Sequence, residues 1–162
     1  MTRRAKATDV GGIRVDLSQV QRSTAGALAA PIWIVADGTN AAFPEVEWSD
    51  FPVLLLGSWI PSLRRLMERG QAAECHFTDG AYRFVVGAGA PTEWRVTCFE
   101  GREQPSVANA VAEWVTDAQA FFTSGLVAAR SVLGYCDSRG WWDDDTDRLR
   151  EAVALADPQA AS

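Results

Sequence analysis

The sequence predicts an α+β protein with an antiparallel sheet. Short segments with alternating apolar and polar residues fill the first two thirds of the chain, and Asp79-Gly80 joins two of them as a tight hairpin turn. Apolar residues at helical spacing dominate the last third. Strands and helices that are segregated in this way favour α+β over an alternating α/β order. The 162 residues suffice for one core, and we expect a flexible tail over 1–11 and a single domain over 12–162.

Two strands are predicted before the first helix. The segment IRVDLSQV (13–20) places Ile13, Val15 and Leu17 on one face and polar residues on the other, as in a half-buried strand. The segment PIWIVA (31–36) reads as a second strand that ends at the turn residues DGTN.

A kinked helix is predicted at about 50–69. Its apolar residues recur at helical spacing, and Ser49 would cap its start. Gly57 and Pro61 should kink the helix or split it, and Gly70 should end it.

A three-stranded meander is predicted at about 73–100. A two-residue loop at Asp79-Gly80 fixes the register of its first hairpin, so that His76 faces Arg83 on the side away from the core. The segment EWRVTCFE (93–100) supplies the third strand. The predicted pairs on the core side are Ala73 with Val86, Cys75 with Phe84, and Phe77 with Tyr82.

A long helix is predicted at about 106–135, followed by a short one that starts near Asp145. The long helix rests on a single apolar stripe that includes Val111, Trp114, Ala118 and Phe121. The sheet should pack against this helix and against the helix at 50–69.

The charge of the chain argues against nucleic acid as a direct partner. The formal net charge is −6, and residues 7–162 carry −9 once Arg3, Arg4 and Lys6 of the tail are set aside. Such a body repels phosphate and suits a basic partner, although solubility accounts for the charge equally well.

The cysteines and the apolar runs point to the cytoplasm. Cys75, Cys98 and Cys136 are odd in number and form no C-x-x-C pair, which favours free thiols in a reducing compartment. Charged residues interrupt any signal-peptide core, and the longest apolar run (51–60) is too short for a membrane helix.

The segment GWWDDDTDRL (140–149) is the densest cluster of chemistry-bearing residues. Asp143, Asp145 and Asp147 match the start of a calcium loop, but the loop would need Gly and Glu where Arg148 and Ala154 stand. The D-D-x-x-D pattern of prenyl-diphosphate enzymes also fits, but a second such motif is missing. We therefore expect no metal, and we expect Asp145 to cap a helix whose N-terminus the other carboxylates suit.

No catalytic or cofactor motif is present, so we expect neither enzymatic activity nor a cofactor. The sole histidine, His76, is interpreted as a surface residue of a strand. Of the seven tryptophans, Trp33, Trp59, Trp94 and Trp114 fall on predicted apolar faces.

The remaining tryptophans, Trp48, Trp141 and Trp142, lie beside acids. Because Trp141 and Trp142 are adjacent, we expect them to differ in burial, with one of them partly exposed. Aromatic residues at such edges are common interface anchors, although rings folded over helix ends explain them equally well. No base occurs between Arg22 and Arg64, a stretch that carries four acids. The predicted partner-binding residues are Glu45, Glu47, Trp48, Trp141, Trp142, Asp143, Asp144 and Asp147.

The stretches DFPVLLLGSWIPSLRRL (50–66), HFTDGAYRF (76–84) and GWWDDDTDRL resemble bacterial immunity proteins of polymorphic toxin and contact-dependent growth inhibition systems. The resemblance implies an inhibitor that masks the active-site or substrate face of a cognate toxin, often a basic nuclease. Carboxylates would then steer association and aromatic residues would anchor the complex. The alternative is a small ligand-binding domain or enzyme with a pocket between sheet and long helix, lined by Cys75, Tyr82 and Trp94.

Overall fold

The chain folds as an α+β protein, as predicted. The computed structural model describes residues 10–39, 41–102 and 110–157. In these residues the strands are β1 (Gly12–Val15), β2 (Gln21–Arg22), β3 (Leu28–Val35), β4 (Ala42–Phe43), β5 (Ser49–Asp50), β6 (Ala73–His76), β7 (Tyr82–Ala88), β8 (Glu93–Glu100) and β9 (Ala110–Asp117). The helices are α1 (Pro52–Arg69), α2 (Ala118–Arg139) and α3 (Asp144–Ala156).

The first sheet is built around β3, to which β1, β2, β4 and β5 all pair antiparallel. The prediction of one strand over 13–20 is wrong beyond Val15. There the Asp16 carboxylate accepts a hydrogen bond from the Ser18 backbone N–H at 2.9 Å and starts a 3₁₀ turn, Leu17–Gln19. The strand therefore ends at Val15, because the Asp16 side chain bonds to the local backbone in place of a neighbouring strand.

The second sheet confirms the predicted meander and its register. Strand β6 pairs with β7 through Ala73–Val86, Cys75–Phe84 and His76–Arg83, and β8 pairs with the other edge of β7. The first turn contains Asp79-Gly80, where the Asp79 carbonyl accepts from the Tyr82 N–H at 3.1 Å.

The predicted helix over 106–135 is wrong in its first part. Residues 110–117 form strand β9, a fourth member of the meander, and the helix begins at Ala118; residues 106–109 lie outside the described part. The predicted stripe joined Val111 to Trp114, which lie on opposite faces of β9. Val111 and Val115 are 52% and 43% exposed. Because these valines lie on the solvent face of β9, apolar residues occur on both faces of the strand, and their spacing resembles that of a helix. The Asp117 carboxylate accepts from the Ala120 N–H at 2.7 Å and caps α2.

Helix α1 agrees with the prediction in position and differs in detail. It runs through Gly57 and Pro61 as one helix and is not split. Ser49 belongs to β5 and does not cap the helix, because Phe51 occupies that position. Gly70 ends the helix in the left-handed conformation with φ of 69°, as expected.

The core lies between the sheets and the helices. Trp59 and Trp94 are buried as predicted, whereas Trp33 and Trp114 are half-buried. Strand β1 crosses α2 closely, since a Cβ on Gly12 would lie 2.4 Å from Ser124 Oγ.

The three cysteines, Cys75, Cys98 and Cys136, are free and buried. Burial raises the pKa of all three thiols. Among the described residues, no helix combines the length and apolarity needed to cross a bilayer.

Candidate binding groove

A short loop between α2 and α3 presents Trp141 and Trp142. Gly140 ends α2 in the left-handed conformation with φ of 66°, and the Trp141 N–H donates to the Cys136 carbonyl at 3.0 Å. This cap turns the chain sharply, so that the two indoles meet different surroundings.

The Trp141 indole is half-buried in a stack of rings and cations. The Arg22 guanidinium lies 4.6 Å from the Trp141 ring centroid, and Tyr135 packs edge-on against the same indole at 5.8 Å. Arg139 in turn lies 5.0 Å from the Tyr135 ring centroid. Trp141 is therefore held mainly by contacts within the chain.

The Trp142 indole is 66% exposed. Its Nε1–H donates to Asp137 Oδ1 at 2.9 Å, and Asp137 also accepts from the Arg150 guanidinium. The bonds from Arg150 and then from Trp142 lower the pKa of the Asp137 carboxyl. The prediction that the two neighbouring tryptophans differ in burial is confirmed, and Trp142 is the exposed one.

The residue that caps α3 is Asp143, so the prediction of Asp145 is wrong. Asp143 Oδ1 accepts from the Thr146 N–H at 2.9 Å, and Thr146 Oγ1 accepts from the Asp143 N–H at 2.8 Å. This reciprocal capping box requires Thr146 three residues after the cap, a spacing that Asp143 alone has in this segment. Asp144, Asp145 and Asp147 occupy the first turn of the helix, where its dipole favours them.

Trp141 and Trp142 border a groove of about 490 Å³ between the start of α3, the start of α1 and the turn after β2. Both tryptophans, Asp143 and Asp145 line it, whereas Asp144 and Asp147 do not. The other lining residues are Arg22, Ser23, Ala25, Gly26, Ala27, Leu28, Phe51, Val53, Leu54, Thr78, Cys136 and Thr146.

The second predicted acidic segment does not line this groove. Glu45 and Glu47 are exposed, and Glu47 Oε1 accepts from Gln19 Nε2 at 3.0 Å. Trp48 is half-buried against Tyr82, with 4.9 Å between ring centroids.

Two of the four acids in the base-free stretch serve structural roles. Asp37 Oδ1 accepts from the Gly11 N–H at 2.6 Å and from Thr116 Oγ1 at 3.0 Å. Asp50 is buried and accepts from Trp48, Phe51 and Thr78. The count of acids along this stretch therefore overstates the charge that it presents to a partner.

Sequence reasoning did not assign Arg22, Phe51, Leu54 and Asp145 to the site, although all four line the groove, and it missed Asp137, which accepts from Trp142. The sequence offered one signal, because Leu54 falls outside the apolar stripe of α1, and the structure shows it 43% exposed. Arg22 and Asp137 become relevant only because folding brings them to Trp141 and Trp142.

The alternative pocket between sheet and long helix is filled where it was predicted. Cys75 is fully buried, Trp94 packs against Phe121 and Phe122, and Tyr82 packs against Phe43 and Trp48. An open cleft of about 670 Å³ does lie between a sheet and the long helix, at β1 and α2, away from those three residues.

The charged groups of that cleft have structural partners. The Arg14 guanidinium donates to the Val10 and Ile13 carbonyls, and the Asp117 carboxylate caps α2. Over the described ranges, no three His, Cys, Asp or Glu side chains converge as metal ligands would.

No protein-family profile and no curated protein matches the sequence. The fold is similar to a chain of the CdiA-CT/CdiI toxin and immunity complex from Enterobacter cloacae, with a TM-score of 0.45 and 14% identity. That match covers 74% of this chain and 98% of the other. A similarity of this size does not determine function, so the function has to be inferred from the groove itself.

Proposed function

We propose that the chain is a cytoplasmic bacterial immunity protein that binds a cognate toxin through Trp142 and its neighbouring carboxylates, and thereby neutralises it. The toxin would present a basic surface, such as the face with which a nuclease holds phosphate. Polymorphic toxin and contact-dependent growth inhibition systems require such inhibitors.

The observation that carries the proposal is the exposed Trp142 indole. A tryptophan side chain that is 66% exposed contributes little hydrophobic stabilisation to the folded chain. A partner that buries this ring on binding would gain that stabilisation, so the exposure is typical of a binding site. The hydrogen bond to Asp137 fixes the ring, so binding would cost little side-chain entropy. Fixed aromatic side chains of this kind are typical hot spots of protein interfaces.

The carboxylates beside Trp142 support a basic partner. In the described part of the chain, no salt bridge involves Asp143, Asp144 or Asp147. Asp147 interacts with the Arg150 charge without forming an ion pair, so the three carboxylates remain available to accelerate the approach of a positively charged protein.

The experiment starts with the partner, identified from the adjacent gene or by co-purification. Trp142→Ala should raise the dissociation rate about 30-fold, which corresponds to the 2 kcal/mol of a typical hot spot. Leu155→Ala is the matched control, because Leu155 is 60% exposed and does not line the groove. If Trp142→Ala binds the toxin and protects cells as the parent does, the proposed surface is wrong.

The carboxylates are tested through the association rate. Asp144→Asn/Asp147→Asn should slow association at low salt and flatten its salt dependence, while leaving the Asp143 cap intact. Glu93→Gln/Glu100→Gln removes the same charge from exposed positions of β8 and should change the rate less. Equal effects of the two double variants would mean that net charge alone steers the partner.

A further inference from the structure

The groove beside Trp142 combines apolar walls with carboxylates at one side. Leu54 and Trp142 are exposed on the groove, and Phe51 is half-buried between α1 and its floor. The charged lining residues are Asp143, Asp145 and Arg22, and Asp145 Oδ1 also lies 3.8 Å from Nη1 of the exposed Arg148. A volume of about 490 Å³ is in the range that holds a few side chains of a partner.

One cation, the Arg22 guanidinium, already stacks on an indole in this groove. Arg22 lies over the Trp141 indole, and its Nε–H donates to the Gly26 carbonyl at 3.0 Å. That guanidinium is therefore already engaged on the inner indole. Within the described residues, Arg22 and the other stacked cations cover Trp141, Phe99 and Tyr135, whereas no cation covers Trp142.

We infer that the groove receives an arginine of the partner, which stacks on the Trp142 indole and turns its guanidinium to the Asp143 and Asp145 carboxylates. Apolar side chains next to that arginine would lie against Leu54 and Phe51. This inference rests on the proposed function, because it names the partner side chains that the Trp142 surface recognises.

Arginine suits this position better than lysine does. The planar guanidinium stacks on an indole while its N–H groups remain free to donate to carboxylates. The cap of α3 uses Asp143 Oδ1, so the cap and a guanidinium that donates to Oδ2 are compatible.

The test uses the tripeptide amide acetyl-Leu-Arg-Leu-NH2 and its citrulline counterpart, which has the same shape without the charge. Both are titrated into the full chain while the indole N–H signals are followed by NMR, and the Trp142 signal is assigned from its loss in Trp142→Phe. The arginine peptide should shift the Trp142 signal with saturation. The citrulline peptide should bind about two- to fivefold more weakly, as expected for an exposed cation–π contact.

Protein variants define the position of the peptide. Asp143→Asn keeps a good helix cap but removes the charge, so it should weaken the arginine peptide and leave the citrulline peptide unaffected. Trp142→Leu, followed through the Trp141 indole signal, should weaken the arginine peptide and reduce the difference between the two peptides. Glu45→Gln, outside the groove, should have little effect on either.

Equal binding of the two peptides, or shifts confined to indoles outside the groove, would overturn the inference. The proposed function fails separately. If the arginine peptide binds as expected but Trp142→Ala still binds the toxin at full affinity, the groove is a cation site and the immunity surface lies elsewhere. If Trp142→Ala releases the toxin while the peptides do not discriminate charge, the toxin interface is right and the arginine is wrong.

Discussion

Two tryptophan–aspartate pairs in this protein use the same hydrogen bond for different purposes. Trp48 Nε1 donates to Asp50 Oδ2 at 3.2 Å, and Trp142 Nε1 donates to Asp137 Oδ1 at 2.9 Å. Asp50 is only 6% exposed, whereas Asp137 is an exposed residue at the end of α2. The first pair joins parts of the fold, and the second holds an indole outward into solvent.

The difference lies in what else each carboxylate accepts. Asp50 also takes the backbone N–H groups of Phe51 and Thr78, and so ties the start of α1 to the β6–β7 turn. Asp137 takes the Arg150 side chain, a contact between exposed groups that the fold does not require. The carboxylate of Asp50 therefore supports the backbone of the fold, whereas that of Asp137 orients a side chain at the surface.

The largest effect is expected at Asp50. Asp50→Ala leaves two backbone N–H groups and the Trp48 indole N–H without their acceptor, which should lower the free energy of unfolding by about 3 kcal/mol. Chemical denaturation monitored by circular dichroism measures this.

Asp137→Ala is the matched variant for this comparison, and it should change the unfolding midpoint far less. Asp50→Asn should fall between the two, because one oxygen remains to accept. A midpoint for Asp50→Ala equal to that of Asp137→Ala would show that the two pairs do not differ as described.

A smaller effect on the free energy of unfolding should distinguish the capping aspartate of α3 from the aspartates of its first turn. Asp143→Ala removes the cap of α3 and should cost about 1 kcal/mol of stability, whereas Asp143→Asn should be nearly neutral. Asp145→Ala, in the first turn, should cost less than Asp143→Ala because its contribution is mainly through the helix dipole. Thermal unfolding of the three variants decides this, and a larger loss for Asp145→Ala would return the capping role to that residue.

The sequence identified those parts of the fold in which local rules and burial agree. The meander was predictable because the turn at Asp79-Gly80 and the alternation around Cys75 and Phe84 define the same register. Strand β9 was missed because Val111 and Val115 face solvent, so its alternation has apolar residues on both faces and imitates a helix.

The candidate site was predictable only along the chain. Trp142 and Asp143 stand next to each other in sequence, and their role as an exposed ring beside a helix start was within reach. Arg22 and Leu54 come to the groove from distant segments, and Asp50 is structural in part because the distant Thr78 N–H donates to it. No local sequence pattern predicts these long-range contacts, because they depend on how α1 and the turn after β2 pack against α3.

The smallest effect concerns the pH at which Trp142 loses its acceptor. The Arg150 and Trp142 bonds hold the pKa of Asp137 below the ordinary value of 3.8, so the carboxylate stays ionised until the pH falls below that value. Because the folded pKa is the lower one, the contact is complete above 3.8 and is lost as the pH falls through the Asp137 pKa. The Trp142 indole N–H signal should therefore stay constant from neutral pH to 3.8 and move only below it. In Asp137→Asn, the signal should already be displaced at neutral pH, and the Trp48 signal should be unchanged. If the Trp142 signal does not move in the acid titration or in Asp137→Asn, then Asp137 does not hold the ring.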